Sequence, residues 1–457
     1  MATGDETRGL PASRADDASQ ATELAADAAR DRRAWAMVWA LMVVLALNVV
    51  DRQMIGLLGQ PLSKDLGLSD SQLGVLGGIA FAGSYALASL PWGWLADRPG
   101  VGRMTALSAA LAIWSTATAL CGAAQNFGHI LLGRMGVAAG EAGCMPAAQA
   151  LIAEAIPPAK LARAMAIFGL GIPLGAFVGR AGGGLLTDLF GWRSAFLLVG
   201  APGILLAVVL LVVFKNPVRL TVRPASKPSL RKALTEVVRS RAIIYSAVAN
   251  IFTSAIAAII AFWGMVHFQR NLGLSAGQAG LWYGIQAGAT GVIGVLLGGW
   301  IADKLAQHRP RHYMTPGLWG QLIAPLLLVA AWWSDLWWVA LLLTTLPVMG
   351  DNLAYAGSAA ATQRLLTSDV RASATSIIAL VVTLAGPGAG LTLFGVVSDL
   401  IRVNLPAGTP PSESVRYTLM GAGLLAFIPA FFFWLAGREM EKDLARIEGP
   451  GGGKEEA

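Results

Sequence analysis

The sequence predicts an all-α membrane protein, a bundle of twelve transmembrane helices built as two six-helix pseudo-repeats. Three observations carry the prediction. Of 457 residues, 55% are hydrophobic and only 13% charged, with a mean hydropathy of +0.60, whereas soluble domains carry about 25% charged residues. The apolar residues fall in runs of about 20, the length needed to cross a hydrocarbon core. Finally, short polar signals recur in the second half of the chain at a nearly constant distance from their counterparts in the first.

Residues 1–33 are polar and rich in Ala, Asp and Arg, with no compact apolar region, so they are not expected to act as a signal peptide. They are expected to be a disordered cytoplasmic N-terminus, with helical tendency over 21–33. The spans are expected at 35–58, 71–95, 104–124, 128–153, 163–187 and 194–214, within a first half of 34–214. A polar stretch, 215–241, holds Pro217, Pro224 and Pro228 and reads as a cytoplasmic linker. The second half, 242–437, carries spans at 242–268, 277–302, 313–333, 337–360, 371–398 and 415–436. The charged, Gly-ended tail, 438–457, is expected to be disordered. With the N-terminus inside, the inner loops hold Arg98, Arg103, Lys160, Arg163 and the dense run from Lys215 to Arg241. The outer loops hold only Lys64, Arg193, Arg270, Arg402 and Arg416. That asymmetry predicts cytoplasmic termini and a multi-pass protein of the inner (plasma) membrane.

Several functions are excluded at this level. The net charge of +7 lies in loops between apolar runs and reads as an orientation signal, so no nucleic-acid partner is expected. Cys121 and Cys144 both sit in apolar runs, which argues against a disulfide or a metal. No nucleophile–base pair, metal-ligand spacing or phosphate loop appears, and Gly182-Gly-Gly184 reads as helix packing. No catalytic residue, cofactor or metal is therefore expected, and the chain is not read as an enzyme or an ATP-driven pump.

The repeat rests on three matches. Gly93-Trp-Leu-Ala-Asp97-Arg98 corresponds to Gly299-Trp-Ile-Ala-Asp303-Lys304, Gly140-Glu141 to Gly350-Asp351, and Leu185-Leu-Thr-Asp188 to Val396-Val-Ser-Asp399. The offsets all lie between 206 and 211 residues. Two parallel six-helix repeats are the layout of major facilitator transporters, whose substrate site lies near the midplane between the halves.

The stretch from Gly93 to Arg103 resembles the signature loop between helices 2 and 3 of that superfamily. Asn48-Val-Val-Asp51-Arg52, Arg134 with Gly140-Glu141-Ala142, and Ile172-Pro173-Leu-Gly175 together resemble the Spinster branch, the sphingolipid and lysolipid transporters. The resemblance covers residues 35 to 215 well and the second half weakly. Val49, Gly143 and Arg180 depart from the branch's usual aromatic, serine and neutral residues. The resemblance implies the major facilitator fold and secondary, proton-coupled transport of an amphipathic, anionic lipid-like molecule. The alternative is a proton-coupled symporter of a small organic acid. The expected partners are that small substrate, protons and the lipid bilayer, with the chain acting as a monomer.

Four charged residues are the expected proton-coupling and substrate site: Asp51 and Arg52 in the first span, Arg134 and Glu141 in the fourth. A charge within the bilayer is costly and faces a partner or a water-filled cavity. The helical rise puts Asp51 and Arg52 about 10 Å below the outer surface, with Arg134 level with them and Glu141 about two turns deeper. Seven residues apart, Arg134 and Glu141 share a helix face. The expected pairs are Asp51 with Arg134 and Arg52 with Glu141, a cluster of zero net charge. A structural ion-pair network is the alternative reading.

Asp351, with Asn352 beside it, stands at the repeat-equivalent of Glu141 and is a possible cavity residue. Arg180 is a second, unless it snorkels to the headgroups. His267 reads as interfacial. Phe81, Tyr85, Phe252, Trp263, Trp282, Tyr283 and Tyr355 are candidate pocket aromatics. The resemblance also implies an inner gate formed by Asp97, Arg98 and Arg103, the aspartate facing a helix N-terminus.

Overall fold

The computed structural model describes residues 12–97, 102–214, 230–307, 309–367 and 370–448. Among them there is no β-strand. The first half holds α1 (Ala12–Leu57), α2 (Gly59–Leu66), α3 (Asp70–Gly77), α4 (Ile79–Asp97), α5 (Arg103–Cys121), α6 (Phe127–Glu141), α7 (Cys144–Ala155), α8 (Pro158–Gly169) and α9 (Gly171–Val213). A connecting helix, α10 (Leu230–Arg239), leads into α11 (Arg241–Arg270), α12 (Ala276–Ala306), a 3₁₀ turn η1 (Pro310–Met314), α13 (Thr315–Trp333) and α14 (Trp337–Leu365). The chain ends with α15 (Arg371–Thr383), a π-turn η2 (Leu384–Gly388), α16 (Ala389–Val403), α17 (Glu413–Leu424) and α18 (Phe427–Glu448).

Local chemistry sets the joints. The Ser69 hydroxyl accepts from the Gln72 N–H, and the Gln72 side chain accepts from the Ser69 N–H, a capping box that starts α3. Asn126 and Ser240 cap α6 and α11 by accepting from His129 N–H and Ile243 N–H. Gly191, at φ 78°, breaks α9 where an L-side chain would be strained. Pro387, which has no N–H to donate, sits in η2 between α15 and α16.

Ten stretches of the described residues are long and apolar enough to cross a membrane. One of them, Pro158–Val213, is 56 residues long and contains the Gly191 break, so two expected spans are joined in it. The expected span at 128–153 is divided between α6 and α7 by a turn at Ala142 and Gly143. Large apolar side chains such as Leu87, Val212, Leu326 and Val403 are exposed on the outside of the bundle, as a lipid-facing surface requires.

Three segments differ from expectation. The polar N-terminal stretch is helical from Ala12 and runs unbroken into the first span. Residues 438–448 continue α18 rather than forming a loose tail. Their ends are held: Lys160 reaches Asp31 at 3.2 Å, and the Asp443 carboxylate accepts from Ser240 Oγ at 2.8 Å and Ala242 N–H at 3.0 Å. Of the expected linker, residues 215–229 lie outside the described residues and 230–239 form α10.

The core has three parts. One lies within the first half around Leu41, Trp114, Val137 and Phe168, and another within the second around Ile243, Met314 and Phe433. The largest joins the halves: Met54, Leu57, Leu62 and Leu73 pack in one cluster with Trp263, Val266, Phe268 and Phe394. It sits where α1 ends, which is the end of the bundle away from the chain's N-terminus, called here the far end.

Candidate functional site

Asp51 and Arg52 lie five to six residues before the end of α1, and Arg134 and Glu141 lie on α6. Glycines set the depth of α6. A Cβ on Gly140 would stand 2.6 Å from the Trp114 nitrogen of α5, and one on Gly143 would stand 2.8 Å from the Trp92 ring. The Trp92 indole N–H donates to the Ala139 carbonyl at 2.7 Å, locking α4 to α6. α6 can therefore press inward, which buries Glu141 completely.

The structure brings the four charged residues together and makes one of the two expected pairs. Arg52 Nε donates to Glu141 Oε2 at 2.7 Å. The Arg52 side chain is 40% exposed whereas Glu141 is at 0%, so the cation is open to solvent and the acid is sealed in the protein. The second pair is corrected. Arg134 Nη1 reaches the backbone carbonyl of Asp51 at 3.5 Å, not its carboxylate. The reason is packing: Asp51 points toward α5, where Trp114 and Thr118 face its carboxyl group, while the Arg134 guanidinium lies 4.8 Å from the Phe81 ring centroid. Arg52 stacks on the same α4 face, 5.6 Å from Phe81 and 5.2 Å from Tyr85.

Around this cluster, buried polar atoms lack partners. Asp51 Oδ1, Glu141 Oε1, Arg134 Nε, Asn48 Nδ2, Thr118 Oγ1 and Trp114 Nε1 are all buried with no hydrogen bond among the described residues. Buried polar groups are nearly always satisfied, so this concentration sets the cluster apart from the apolar core around it. Sequence reasoning placed none of Asn48, Thr118 and Trp114 in the site, although Asn48 opens the stretch that carries the Spinster resemblance. Asn48 was within reach, because it precedes Asp51 by three residues and Arg52 by four and so shares their helix face.

A cavity of about 350 Å³ opens beside the cluster, between the halves. Arg52, Gln53, Phe81 and Arg134 line it from the first half, and Phe262, Met265 and Leu391 from the second. It is cationic on one wall and apolar on the other. Of the candidate aromatics Phe81 lines it. Trp263 is instead core, stacked at 4.7 Å on Phe394, and Tyr355 is exposed. Phe262, next to Trp263, is the aromatic the sequence did not single out.

The other candidates lie elsewhere. Asp351 accepts from Gln321 Nε2 at 2.6 Å and Asn352 donates to the Val348 carbonyl of its own helix at 2.9 Å; neither lines the cavity between the halves. Arg180 does not snorkel. It is 7% exposed, its Nε has no partner among the described residues, and its backbone abuts Gly280 of α12. His267 is not interfacial: it is fully buried against Trp332, ring centroids 5.6 Å apart. Arg103 pairs with Glu154. Arg98 and the side chain of Asp97 lie outside the described residues.

Beyond the cavity, the far end is closed by polar contacts across the halves. The Asp399 carboxylate accepts from the N–H groups of Asp70 at 3.2 Å and Ser71 at 2.8 Å, at the start of α3. The Asp188 carboxylate accepts from Ser275 Oγ at 2.6 Å and Gly277 N–H at 3.0 Å, at the start of α12. Each of these two aspartates thus caps a helix of the opposite half, where a carboxylate is favoured. Arg270 adds an ion pair to the buried Asp70 at 2.8 Å and donates to Gln60 at 2.8 Å. In α2, a hydrogen bond from Arg193 holds the Asp65 carboxyl below its ordinary range.

This arrangement has known counterparts. The model of the Major Facilitator Superfamily matches residues 41–391. The chain is 32% identical over 420 residues to an MFS-type efflux pump of Mycolicibacterium smegmatis, covering 92% of this chain and 96% of that one. A probable galactarate/D-glucarate transporter of Bacillus subtilis is 34% identical over 189 residues, 40% of this chain and 41% of the other. Among solved structures, a bacterial homolog of the human lysosomal transporter Spinster, inward-facing and unoccupied, superposes with a TM-score of 0.80 at 26% identity, covering 90% of this chain and 98% of that one. With a charged cavity between two helical halves and these relatives, the chain belongs to the Major Facilitator Superfamily as a Spinster-like membrane transporter and not an enzyme.

Proposed function

We propose that the chain is a proton-coupled secondary transporter that moves an amphipathic, anionic lipid-like molecule by alternating access. It crosses the inner membrane twelve times as two six-helix repeats, with both termini in the cytoplasm, and works as a monomer. One observation carries this reading: the guanidiniums of Arg52 and Arg134 line one wall of a cavity whose opposite wall is apolar, and the carboxylates of Asp51 and Glu141, buried nearby, balance their charge. Asp51, Arg52, Arg134 and Glu141 are the coupling and substrate residues. A proton on Glu141 cancels its charge and frees Arg52, which faces the cavity. The freed guanidinium then holds a phosphate or carboxylate headgroup through paired hydrogen bonds. Phe262, Met265 and Leu391 take the apolar portion. Arg180 and, more distantly, Asp351 with Asn352 complete the polar lining in states where the halves are rearranged.

The far-end contacts close the outer side while the cavity opens inward. Asp97, Arg98 and Arg103 form the inner gate that alternates with them. A second reading, transport of a small organic acid, is favoured by the likeness to the galactarate/D-glucarate transporter. Uptake into proteoliposomes under an imposed pH gradient separates the two, with lysolipids, sphingoid phosphates and small organic acids as substrates. Glu141→Gln and Asp51→Asn are expected to abolish gradient-driven uptake of the accepted substrate. Full uptake by both variants would sink the proton role, and acceptance of organic acids alone would favour the second reading.

A further inference from the structure

We infer that the chain binds the headgroup of an anionic phospholipid in a pocket between η1, α13 and α18, at the end of the bundle opposite the far end. This site is separate from the transport cavity and does not depend on what is transported. The pocket has a volume of about 280 Å³. Arg311 and His312 of η1 line one side, Arg438 and Trp434 of α18 another, and Trp319 of α13 a third; no acidic residue lines it. Arg311 and Arg438 are both exposed, and neither has an ion-pair partner among the described residues. The nearest acid on α18, Glu439, is engaged by Lys442 at 2.7 Å.

The sequence builds this pairing of cations. Gly437 carries no side chain where a Cβ would stand 3.1 Å from the Arg311 carbonyl oxygen. η1 therefore closes onto α18 and brings Arg311 beside Arg438. The Arg438 guanidinium lies 4.8 Å from the Trp434 ring centroid, which holds it at one level. His312 is anchored, its Nδ1 3.1 Å from Thr315 Oγ1.

What selects a lipid over a soluble anion is the surface that continues from the pocket. Trp319 is 57% exposed and Trp434 43%, and exposed tryptophans mark headgroup level. Beyond Trp319, Ile323 and Leu326 are 52% and 72% exposed on the same face of α13, three and four residues apart as one helical stripe requires. A phosphodiester on the two arginines leaves its acyl chains along that stripe. Basic pockets between membrane helices hold anionic headgroups in this way.

The test uses the full-length protein, purified in detergent and stripped of lipid, with phosphatidylglycerol, phosphatidylcholine or inorganic phosphate added. Native mass spectrometry counts bound lipid and thermal unfolding reads stabilisation. Phosphatidylglycerol is expected to bind and stabilise at least about twofold better than phosphatidylcholine. The double variant Arg311→Ala, Arg438→Ala should erase that preference, and Arg311→Lys, Arg438→Lys should keep part of it. Arg402→Ala, at the far end, is the control and should leave it intact. Equal binding of the two lipids, or a preference that survives in the double alanine variant, overturns the assignment. Stabilisation by inorganic phosphate alone, equal to that by phosphatidylglycerol, overturns the lipid in favour of a soluble anion. If the alanine variant does not fold, loss of the preference in single Arg438→Gln decides the matter.

Discussion

Glu141 and Arg52 share one hydrogen bond but not one environment. Glu141 is at 0% exposure and Arg52 at 40%, so the two partners of the pair are not equivalent to mutation. Removing Arg52 strands a carboxylate in the interior, and breaking a buried pair this way costs about 3–5 kcal/mol. Removing the charge of Glu141 leaves a cation that water in the cavity still reaches. Arg52→Ala is therefore expected to lower the melting temperature well below that of Glu141→Gln, and the double variant to recover most of the loss. Equal destabilisation by the two single variants would contradict this geometry. Arg180 presents the opposite case, a buried cation with no acid to desert. Arg180→Gln should hold or raise the melting temperature. If Arg180 meets the substrate, the same variant raises KM for an anionic substrate; an unchanged KM would remove it from the transport path.

Among the elements, α9 packs on α1 through a run of close contacts. Gly171, Gly175, Gly179 and Gly183 recur every four residues along α9, and Cβ atoms there would meet Met42, Ala46, Val50 and Met54 of α1 at 2.4 to 2.9 Å. Small residues at this spacing let membrane helices touch backbone to backbone. The contact also fixes the level of Asp51 and Arg52, since Val50 and Gln53 lie against Gly179. Gly175→Leu is expected to reduce the yield of folded protein severely, as fluorescence-detected size-exclusion chromatography would register. Gly83 of α4 has nothing within 4 Å of its would-be Cβ, and Gly83→Ala should be tolerated. A tolerated Gly175→Leu would show that α1 and α9 can separate at no cost.

At the scale of the whole molecule, Asp188 and Asp399 bear on which side of the bundle opens. Asp188 holds the start of α12 and Asp399 the start of α3, each across the boundary between halves. Losing either carboxylate weakens the closed far end without touching the cavity. The variant Asp188→Asn, Asp399→Asn is expected to shift the population toward a far-end-open state. Cys121 and Cys144 are both buried, so a cysteine placed at Gln53, which lines the cavity, reports access through that end. Labelling by a membrane-impermeant thiol reagent should quicken several-fold in the aspartate variant. An unchanged rate would mean that the apolar cluster around Leu57, Trp263 and Phe268 keeps that end closed alone.

Much of this architecture was legible in the chain before folding. Apolar runs of bilayer length have one physical solution, the helix, because lipid offers no partner for a free peptide group. Most ionisable residues lie in the loops and at the ends of the apolar runs, so Asp51, Arg52, Arg134 and Glu141 stood out against an apolar background. The Arg52–Glu141 pair followed from helical rise and face. Other features depended on distances between segments far apart in sequence. Asp51 turns toward Trp114 and Thr118 because α5 lies there, which no spacing within α1 records. His267 and Trp263 are core because α13 and α16 cover them. The roles of Asp188 and Asp399 depend on which helix starts face them across the halves. Composition and periodicity determined that this is a helical membrane protein with a charged knot within its first half. Only tertiary packing decided which carboxylate meets which arginine, where the cavity opens and which end is shut, since those depend on side chains brought together from separate helices.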